Sequence, residues 1–184
     1  LNERNIYGAG RNLSFEINTS TNNTKYNLQI LEPHILNKKI NLIYGLGYTT
    51  SDESAKLAYE LENFQTNIGI SYDLTSDIYH KITLSYDIKD YTITDYSLVS
   101  NNVLSSEGTN ANFYLNNFLV SNFLDSNLRP SKGTYYSLTN IISPITNSTN
   151  GMIKNIFLYK KYISLNKNIF SMQTKLGNIT SLQN

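Results

Sequence analysis

The sequence predicts an all-β fold: an antiparallel up-and-down meander of about nine strands that forms part of a transmembrane β-barrel. Three observations lead to this prediction. Apolar and polar residues alternate with period two along most of the chain, polar segments separate the alternating runs, and those segments switch between short and long. Because period two puts successive side chains on opposite faces of a strand, each run is expected to have one apolar and one polar face.

The first two runs predict a hairpin. Apolar and polar residues alternate within residues 12–19 and again within residues 26–31, and residues 20–24 between them are polar and rich in Asn. Such a segment between two alternating runs is typical of a tight turn. The two strands are therefore expected to pair.

Seven further strands are predicted. The alternation is clearest in the first three, at residues 39–48, 63–72 and 81–88. The last four are noisier, and they cover residues 111–124, 134–142, 153–162 and 168–177. A total of about nine is near the upper end for an open sheet and suggests closure.

The connections differ between the two rims of the predicted sheet. The short ones are residues 32–38, 73–79, 126–133 and 164–167, and the long ones between them are 49–62 and 89–110. Short turns at one rim and long loops at the other are typical of outer-membrane barrels, so the first strand is expected to run outward and residues 89–110 to lie outside the cell. Residues 51–62 also have helical propensity, which predicts a short helix there.

The two faces of the strands have different expected environments. Periodicity fits both a soluble sheet packed on a second layer and a barrel whose apolar face meets lipid. Strands long enough to span a bilayer, tyrosines near strand ends and glycines confined to the polar face favour the barrel. The residues predicted to face lipid are Leu13, Phe15, Ile17, Leu28, Ile30, Ile40, Leu42, Tyr44, Leu46, Ile68, Ile70, Ile82, Leu84 and Tyr86. The residues predicted to face the lumen are Ser14, Glu16, Asn27, Gln29, Asn41, Gly45, Gly47, Asn67, Lys81, Thr83, Ser85 and Asp87.

Composition removes several classes of protein. Apolar residues make up 40% of the chain, yet the mean hydropathy is −0.34 and no apolar run is long enough for a spanning helix. A net charge of +1 with scattered basic residues argues against nucleic acid as a partner. Cys is absent, which removes disulfides, thiolate nucleophiles and Cys-based metal sites. Residues 1–10 contain no signal-peptide core, so the sequence reads as a piece of a longer protein.

No catalytic or metal site emerges from the residue pattern. His34 and His80 have no partners at ligand spacing, so both are expected to lie in turns. Glu16, Lys81 and Asp87 share the polar face, where ion pairs that stiffen the lumen wall are commoner than a catalytic pair. The sequence therefore predicts neither an enzyme nor a bound cofactor.

Two segments resemble motifs of a known family. Residues 5–11 read N-I-Y-G-A-G-R and precede a strand pair that closes in L-E-P-H-I-L at residues 31–36. Residues 122–133 read N-F-L-D-S-N-L-R-P-S-K-G. In order and separation they are similar to the N-x-x-G-x-G-R/Y, E/N-P-Y-F/L and D-x-x-x-x-P-T-x-G motifs of the bacterial outer-membrane assembly factors that include BamA. The matching positions, read as structural turns, are Asn5, Gly8, Gly10, Arg11, Glu32, Pro33, Asp125, Pro130 and Gly133.

The sequence departs from this family's pattern at three positions. His34 stands where the family has an aromatic residue, Arg129 where a hydrophobic residue precedes the proline, and Ser131 where Thr is usual. The printed sequence also does not include the periplasmic POTRA domains, the first two strands, the V-R-G-F/Y loop motif or the closing strand. Those parts carry most of the family's known function.

The resemblance implies a function for the parent protein. Residues 1–184 would form one partial barrel domain, about strands 3 to 11 of a barrel of about sixteen. The parent would be an insertase in the bacterial outer membrane, with lipid and nascent outer-membrane proteins as partners and assembly-complex lipoproteins bound through parts outside this chain. BamA and the related translocation factor TamA are not distinguished here. A passive porin or protein-translocating barrel and a soluble β-rich surface adhesin remain as alternatives.

Overall fold

The computed structural model describes residues 2–6, 8–35, 38–144 and 151–182. Ten strands follow one another as one antiparallel meander in the order β1 to β10, and the sheet is not closed. The predicted all-β meander is therefore confirmed. The strands are β1 (Asn2–Ile6), β2 (Arg11–Thr19), β3 (Asn23–Glu32), β4 (Ile40–Asp52), β5 (Tyr59–Asp73), β6 (Ile78–Ile93), β7 (Gly108–Asn122), β8 (Gly133–Ser143), β9 (Gly151–Leu165) and β10 (Asn168–Leu182).

The strand count differs from the prediction by one. The additional strand, β1, reads N-E-R-N-I and has no period-two alternation, which is why sequence periodicity missed it. Most other strands extend beyond their predicted ends, and β6 reaches 16 residues. A spanning strand needs only about 9–11 residues, so the longest strands project past the thickness of a bilayer core.

Two short helices lie in connections. The helix α1 (Ser54–Leu57) falls within the segment predicted to be helical and ends at Ala58, which adopts a left-handed φ of 61°. The helix α2 (Asn101–Leu104) lies in the longest connection and was not predicted. Neither helix packs a layer against the sheet.

The two rims of the sheet differ less than predicted. We call the rim holding the β1–β2, β3–β4, β5–β6, β7–β8 and β9–β10 connections the turn rim, and the other the loop rim. The longest connection, residues 94–107, lies at the loop rim as predicted. The connection around α1 shrinks to residues 53–58 because β4 and β5 extend toward it, whereas the turn rim holds a ten-residue connection at 123–132.

The cross-strand register sorts the side chains onto two faces. One row runs through Ile30, Tyr44, Ile68 and Leu84, each paired directly with the next across β3 to β6. We call this apolar face outward, because its large side chains are exposed, and the opposite face inner, because polar residues such as Ser71 are buried there. No second layer of the described chain covers either face. This single layer argues against the packed soluble sheet.

The approach of β5 to β6 depends on a glycine. A Cβ at Gly69 would lie 2.5 Å from the carbonyl oxygen of Ile82 and 2.8 Å from Thr83 Oγ1. At Gly47, on the same inner face, the nearest atom to an added Cβ would be 3.7 Å away, in Gln65. An added methyl group would therefore clash with β6 at Gly69 and would fit at Gly47.

We therefore expect Gly69→Ala to lower the free energy of unfolding by about 1–3 kcal/mol, because the methyl group forces the strands apart. The matched control Gly47→Ala has ordinary van der Waals room and should change it by less than about 0.5 kcal/mol. Urea unfolding in lipid vesicles measures both. Equal losses at the two positions would contradict the close approach.

Candidate functional site: the barrel wall and its turn-rim motifs

The two predicted sets of side chains separate cleanly in the structure. The registers place every residue predicted to face lipid on the outward face and every residue predicted to face the lumen on the inner face. Ile68 is 53% exposed on the outward face, whereas Asp87 is 6% exposed on the inner face. That the outward face contacts lipid and the inner face contacts water remains a prediction.

The inner face holds a polar lining rather than ion pairs. Gln29, Lys81 and Thr139, from three different strands, line one cavity on this face. Within the described residues the ion pair found is at the turn rim, so the predicted ion pairs among Glu16, Lys81 and Asp87 were wrong. Glu16 instead accepts a hydrogen bond from Asn18 Nδ2 at 2.8 Å. Distance explains this, because Glu16 lies on β2, several strands from β6, and Lys81 and Asp87 lie far apart along β6 itself.

Neutral hydrogen bonds replace charge pairing on the inner face. Asn116 Nδ2 donates to Ser85 Oγ at 3.3 Å, and Asn41 Nδ2 donates to Ser71 Oγ at 3.5 Å. Asp87 Oδ1 is buried and has no hydrogen-bond partner within the described chain. The described part of the inner face thus has polar groups suited to contact with water.

The outward face contains a hydrogen-bonded ladder of polar side chains that the sequence did not predict. Asn117 Nδ2 donates to Asn140 Oδ1 at 3.1 Å, and Asn140 Nδ2 donates to Asn155 Oδ1 at 2.5 Å. His80 Nε2 lies 2.5 Å from Asn117 Oδ1, and Tyr72 hydroxyl lies 2.8 Å from His80 Nδ1. We call these five residues the amide ladder. It links five consecutive strands, β5 to β9.

The amide ladder has one direction. An amide oxygen can only accept, so His80 donates from Nε2, and in the neutral imidazole Nδ1 then accepts from the Tyr72 hydroxyl. Every donor therefore points toward β9. Asn140 and Asn155 are flanked two residues away on both sides by apolar residues, so the ladder lies within the apolar face and not at its margin. His80, expected in a turn, instead lies in β6.

We expect Asn140→Ala to lower the free energy of unfolding by about 1–3 kcal/mol, because it leaves a donor of Asn117 and an acceptor of Asn155 unpaired. Asn178 is the register partner of Asn155 on β10 and provides a matched control, since it lies on the same face and no side chain of the described strands hydrogen-bonds to it. Asn178→Ala should change the free energy by less than about 0.5 kcal/mol. Urea unfolding in vesicles measures both variants. If Asn140→Ala lowered the free energy of unfolding no more than Asn178→Ala, the amide ladder would not stabilise the sheet.

The first motif forms a tight turn at the turn rim. Asn5 adopts a left-handed φ of 68°, and its side-chain Oδ1 accepts from the backbone N–H of Gly10 at 2.6 Å. Gly8 and Gly10 have φ values of 71° and 70°, which favour glycine. The glycines therefore make a turn rather than a phosphate-binding loop.

The first and second motifs contact each other. Arg11 Nη2 and Nε donate to Glu32 Oε1 at 2.6 and 3.0 Å. A Cβ at Gly10 would lie 3.3 Å from Pro33 Cγ, so the ring of Pro33 rests on the glycine. Two segments that are 21 residues apart thus form one unit at the turn rim. His34, which follows Pro33, has a left-handed φ of 57° and lies in the β3–β4 connection.

The third motif braces the turn between β7 and β8. Asp125 Oδ1 accepts from the backbone N–H groups of Ser131 and Lys132 at 2.9 and 3.2 Å, and its Oδ2 accepts from Ser131 Oγ at 2.5 Å. A Cβ at Gly133 would lie 2.1 Å from the carbonyl oxygen of Phe123, so no other residue fits there. Ser131 supplies the same hydroxyl as the family's usual Thr, which explains why that departure is tolerated.

These three donors hold the pKa of Asp125 at about 2, below its ordinary 3.8. Because the folded pKa is the lower one, the carboxylate stabilises the turn above about pH 4, and this contribution is lost as the pH falls toward about 2. We expect the protection of the Ser131 and Lys132 amides, measured as exchange relative to the intrinsic rate at each pH, to fall over that window. In Asp125→Asn, exchange should already be fast at neutral pH and show no such dependence.

The carboxylate of Asp77, in the neighbouring turn, accepts from Ser76 Oγ at 2.8 Å and from no backbone N–H of the described chain, so it provides the control. Asp77→Asn should leave exchange at Ser131 and Lys132 as in the wild type. Hydrogen exchange followed by NMR measures all three proteins. Slow exchange at Ser131 in Asp125→Asn would contradict the bracing role.

A single layer of antiparallel strands, with apolar side chains on one face and polar ones on the other, has the construction of a β-barrel wall. The chain belongs to the Omp85 superfamily, since the sequence model of the Omp85 superfamily domain matches residues 5–184.

No helix of the described chain is long and apolar enough to span a membrane. Within the same residues no group of three or more His, Asp or Glu side chains is placed to hold a metal ion.

The fold is similar to that of a solved barrel. BamA from Haemophilus ducreyi, in a crystal structure lacking POTRA domains 1–3, superposes with a TM-score of 0.79 at 18% sequence identity. The match covers 98% of this chain and 37% of that one, so this chain spans little more than a third of the BamA structure. No curated protein matches this chain. The resemblance read from the turn motifs is confirmed.

Proposed function

We propose that the protein containing this barrel wall is an insertase that folds other β-barrel proteins into the outer membrane of Gram-negative bacteria. The observation that carries the proposal is the structural match to BamA over 98% of the chain, together with the Omp85 superfamily domain at residues 5–184. The partners would be outer-membrane lipid and nascent outer-membrane proteins. Lipoproteins of an assembly complex would bind elsewhere in the whole protein.

In this proposal the segment is a stiff part of the barrel and has no chemistry of its own. Substrate strands would add by edge pairing at a seam elsewhere in the barrel. The amide ladder ties β5 to β9, and Arg11 with Glu32 ties β2 to β3, so the described strands resist sliding past one another. A wall whose strands keep their register would stay in place while the seam of the barrel opens.

A prior question is whether the outward face meets lipid. Because this chain has no Cys, a Cys introduced at one position carries a nitroxide label unambiguously once any thiol elsewhere in the whole protein is replaced by Ser. In reconstituted vesicles, a label at Ile68→Cys should collide with oxygen, which concentrates in lipid. A label at Asn67→Cys, the next residue on the inner face, should instead collide with a water-soluble nickel complex.

The soluble surface adhesin predicts that both labels meet water, and that outcome would remove the membrane assignment. The described structure already weighs against it, because an adhesin in water would leave an apolar face uncovered. Fractionation gives the same distinction, since a barrel stays with membranes in carbonate while an adhesin is released.

Insertase activity is tested on the whole protein in vesicles. We expect it to accelerate the folding of a urea-denatured outer-membrane β-barrel several-fold over empty vesicles, because it supplies strand edges for pairing. Solute flux through the same vesicles is measured in parallel. Flux without any acceleration would contradict the insertase and support the passive porin, and uptake of an unfolded chain without its insertion would support a translocating barrel.

A further inference from the structure

The braced turn at residues 123–132 presents an exposed apolar side chain at its tip. Leu128 is 94% exposed, more than any other large hydrophobic residue of the described chain. Phe123, at the base of the turn, is 51% exposed. Both lie at the turn rim, beyond the strand ends of β7 and β8.

Hydrogen bonds hold this ten-residue turn along most of its length. Asp125 holds its second half through three hydrogen bonds, Asn122 Nδ2 donates to Asn127 Oδ1 at 2.7 Å, and Arg129 N–H donates to Ser126 Oγ at 3.2 Å. The backbone therefore holds Leu128 outside the sheet. A chain that only needed to connect two strands could have collapsed this leucine onto its neighbours.

Two positive charges without an ion-pair partner in the described chain follow the exposed leucine. Neither Arg129 nor Lys132 forms an ion pair with a carboxylate of the described chain, where the ion pair found joins Arg11 to Glu32. The charge of Asp125 is directed into the turn's own hydrogen bonds. The tip of the turn is therefore apolar and positive.

The two rims carry opposite charge, which suggests what the turn meets. The described connections of the turn rim carry Lys38, Lys39, Arg129, Lys132 and Lys167 against Asp77 and Asp125, whereas those of the loop rim carry Lys56 against Glu53, Asp95 and Glu107. Anionic lipid headgroups attract basic side chains at a membrane surface, and apolar side chains beside them enter the interface. An apolar and positive tip at the positive rim matches that chemistry.

We propose that the turn at residues 123–132 is an interfacial anchor. Leu128 and Phe123 enter the surface of the leaflet at the turn rim, and Arg129 and Lys132 bind the phosphates of anionic lipids there. The anchor rests on the barrel crossing a bilayer, but it does not depend on insertase activity. It fixes the height of β7 and β8 in the membrane.

The neighbouring turn at residues 74–77 supplies a matched control. Asn122 N–H donates to the carbonyl oxygen of Asp77 at 2.8 Å, so the two turns lie side by side at the same rim. This turn also has an exposed leucine, Leu74, at 56% exposure, but Asp73 and Asp77 flank it instead of basic residues. The two turns thus differ in the sign of charge beside a leucine.

The test places a nitroxide label at Leu128→Cys or Leu74→Cys in the whole protein, reconstituted in phosphatidylcholine vesicles with and without phosphatidylglycerol. We expect the label at position 128 to gain oxygen collisions and lose nickel collisions when phosphatidylglycerol is added. The label at position 74 should not respond. Adding Arg129→Glu and Lys132→Glu to Leu128→Cys should abolish the response, while the oxygen collisions of a label at Ile68→Cys report that the barrel remains inserted.

Two results would overturn the anchor. A label at position 128 that stays open to the nickel complex in both lipids shows a turn that projects into water. A label shielded from both oxygen and nickel only when another protein is present shows a protein contact instead. If the label at Ile68→Cys also failed to meet lipid, the barrel assignment itself would fall, which is a separate outcome.

Discussion

The structure depends on one constraint: each strand pairs with its neighbours in a single layer, and nothing in the described chain covers that layer. Since successive side chains point to opposite faces, a slip of one residue would turn a whole apolar row inward. Register is therefore the property on which the faces depend. A soluble protein fixes register with a packed core, and among the described residues of this chain the buried hydrophobic ones are only Ile43, Ala58 and Ile93.

Several local features fix the register of the strands in place of a packed core. Arg11 and Glu32 fix β2 against β3, Gly69 lets β5 approach β6, and the amide ladder joins β5 to β9. An amide buried in an apolar environment costs free energy unless it is hydrogen-bonded, so each ladder member is acceptable only while its neighbour stays in register. The same cost that makes an isolated Asn unfavourable in lipid makes a paired Asn selective for one register.

The sequence revealed the strands and their faces because period two survives in local order. It missed β1, whose residues do not alternate, and it expected His80 in a turn because a lone histidine gives no signal of its partners. The amide ladder also escaped it. Asn117, Asn140 and Asn155 each interrupt an apolar row, which is a readable signal, but their mutual contact depends on registers that set residues far apart side by side.

The turn motifs show what a resemblance adds to such reasoning. The resemblance placed Asp125, Pro130 and Gly133 in one turn, yet it did not reveal that one carboxylate satisfies two backbone N–H groups and a hydroxyl. That geometry explains why Ser can replace Thr at position 131, and why Gly133 tolerates no side chain. A turn held so firmly needs no apolar residue at its tip for its own stability. Its hydrogen bonds leave Leu128 and the nearby positive charges free to contact an anionic surface, which is the use that the interfacial anchor gives them.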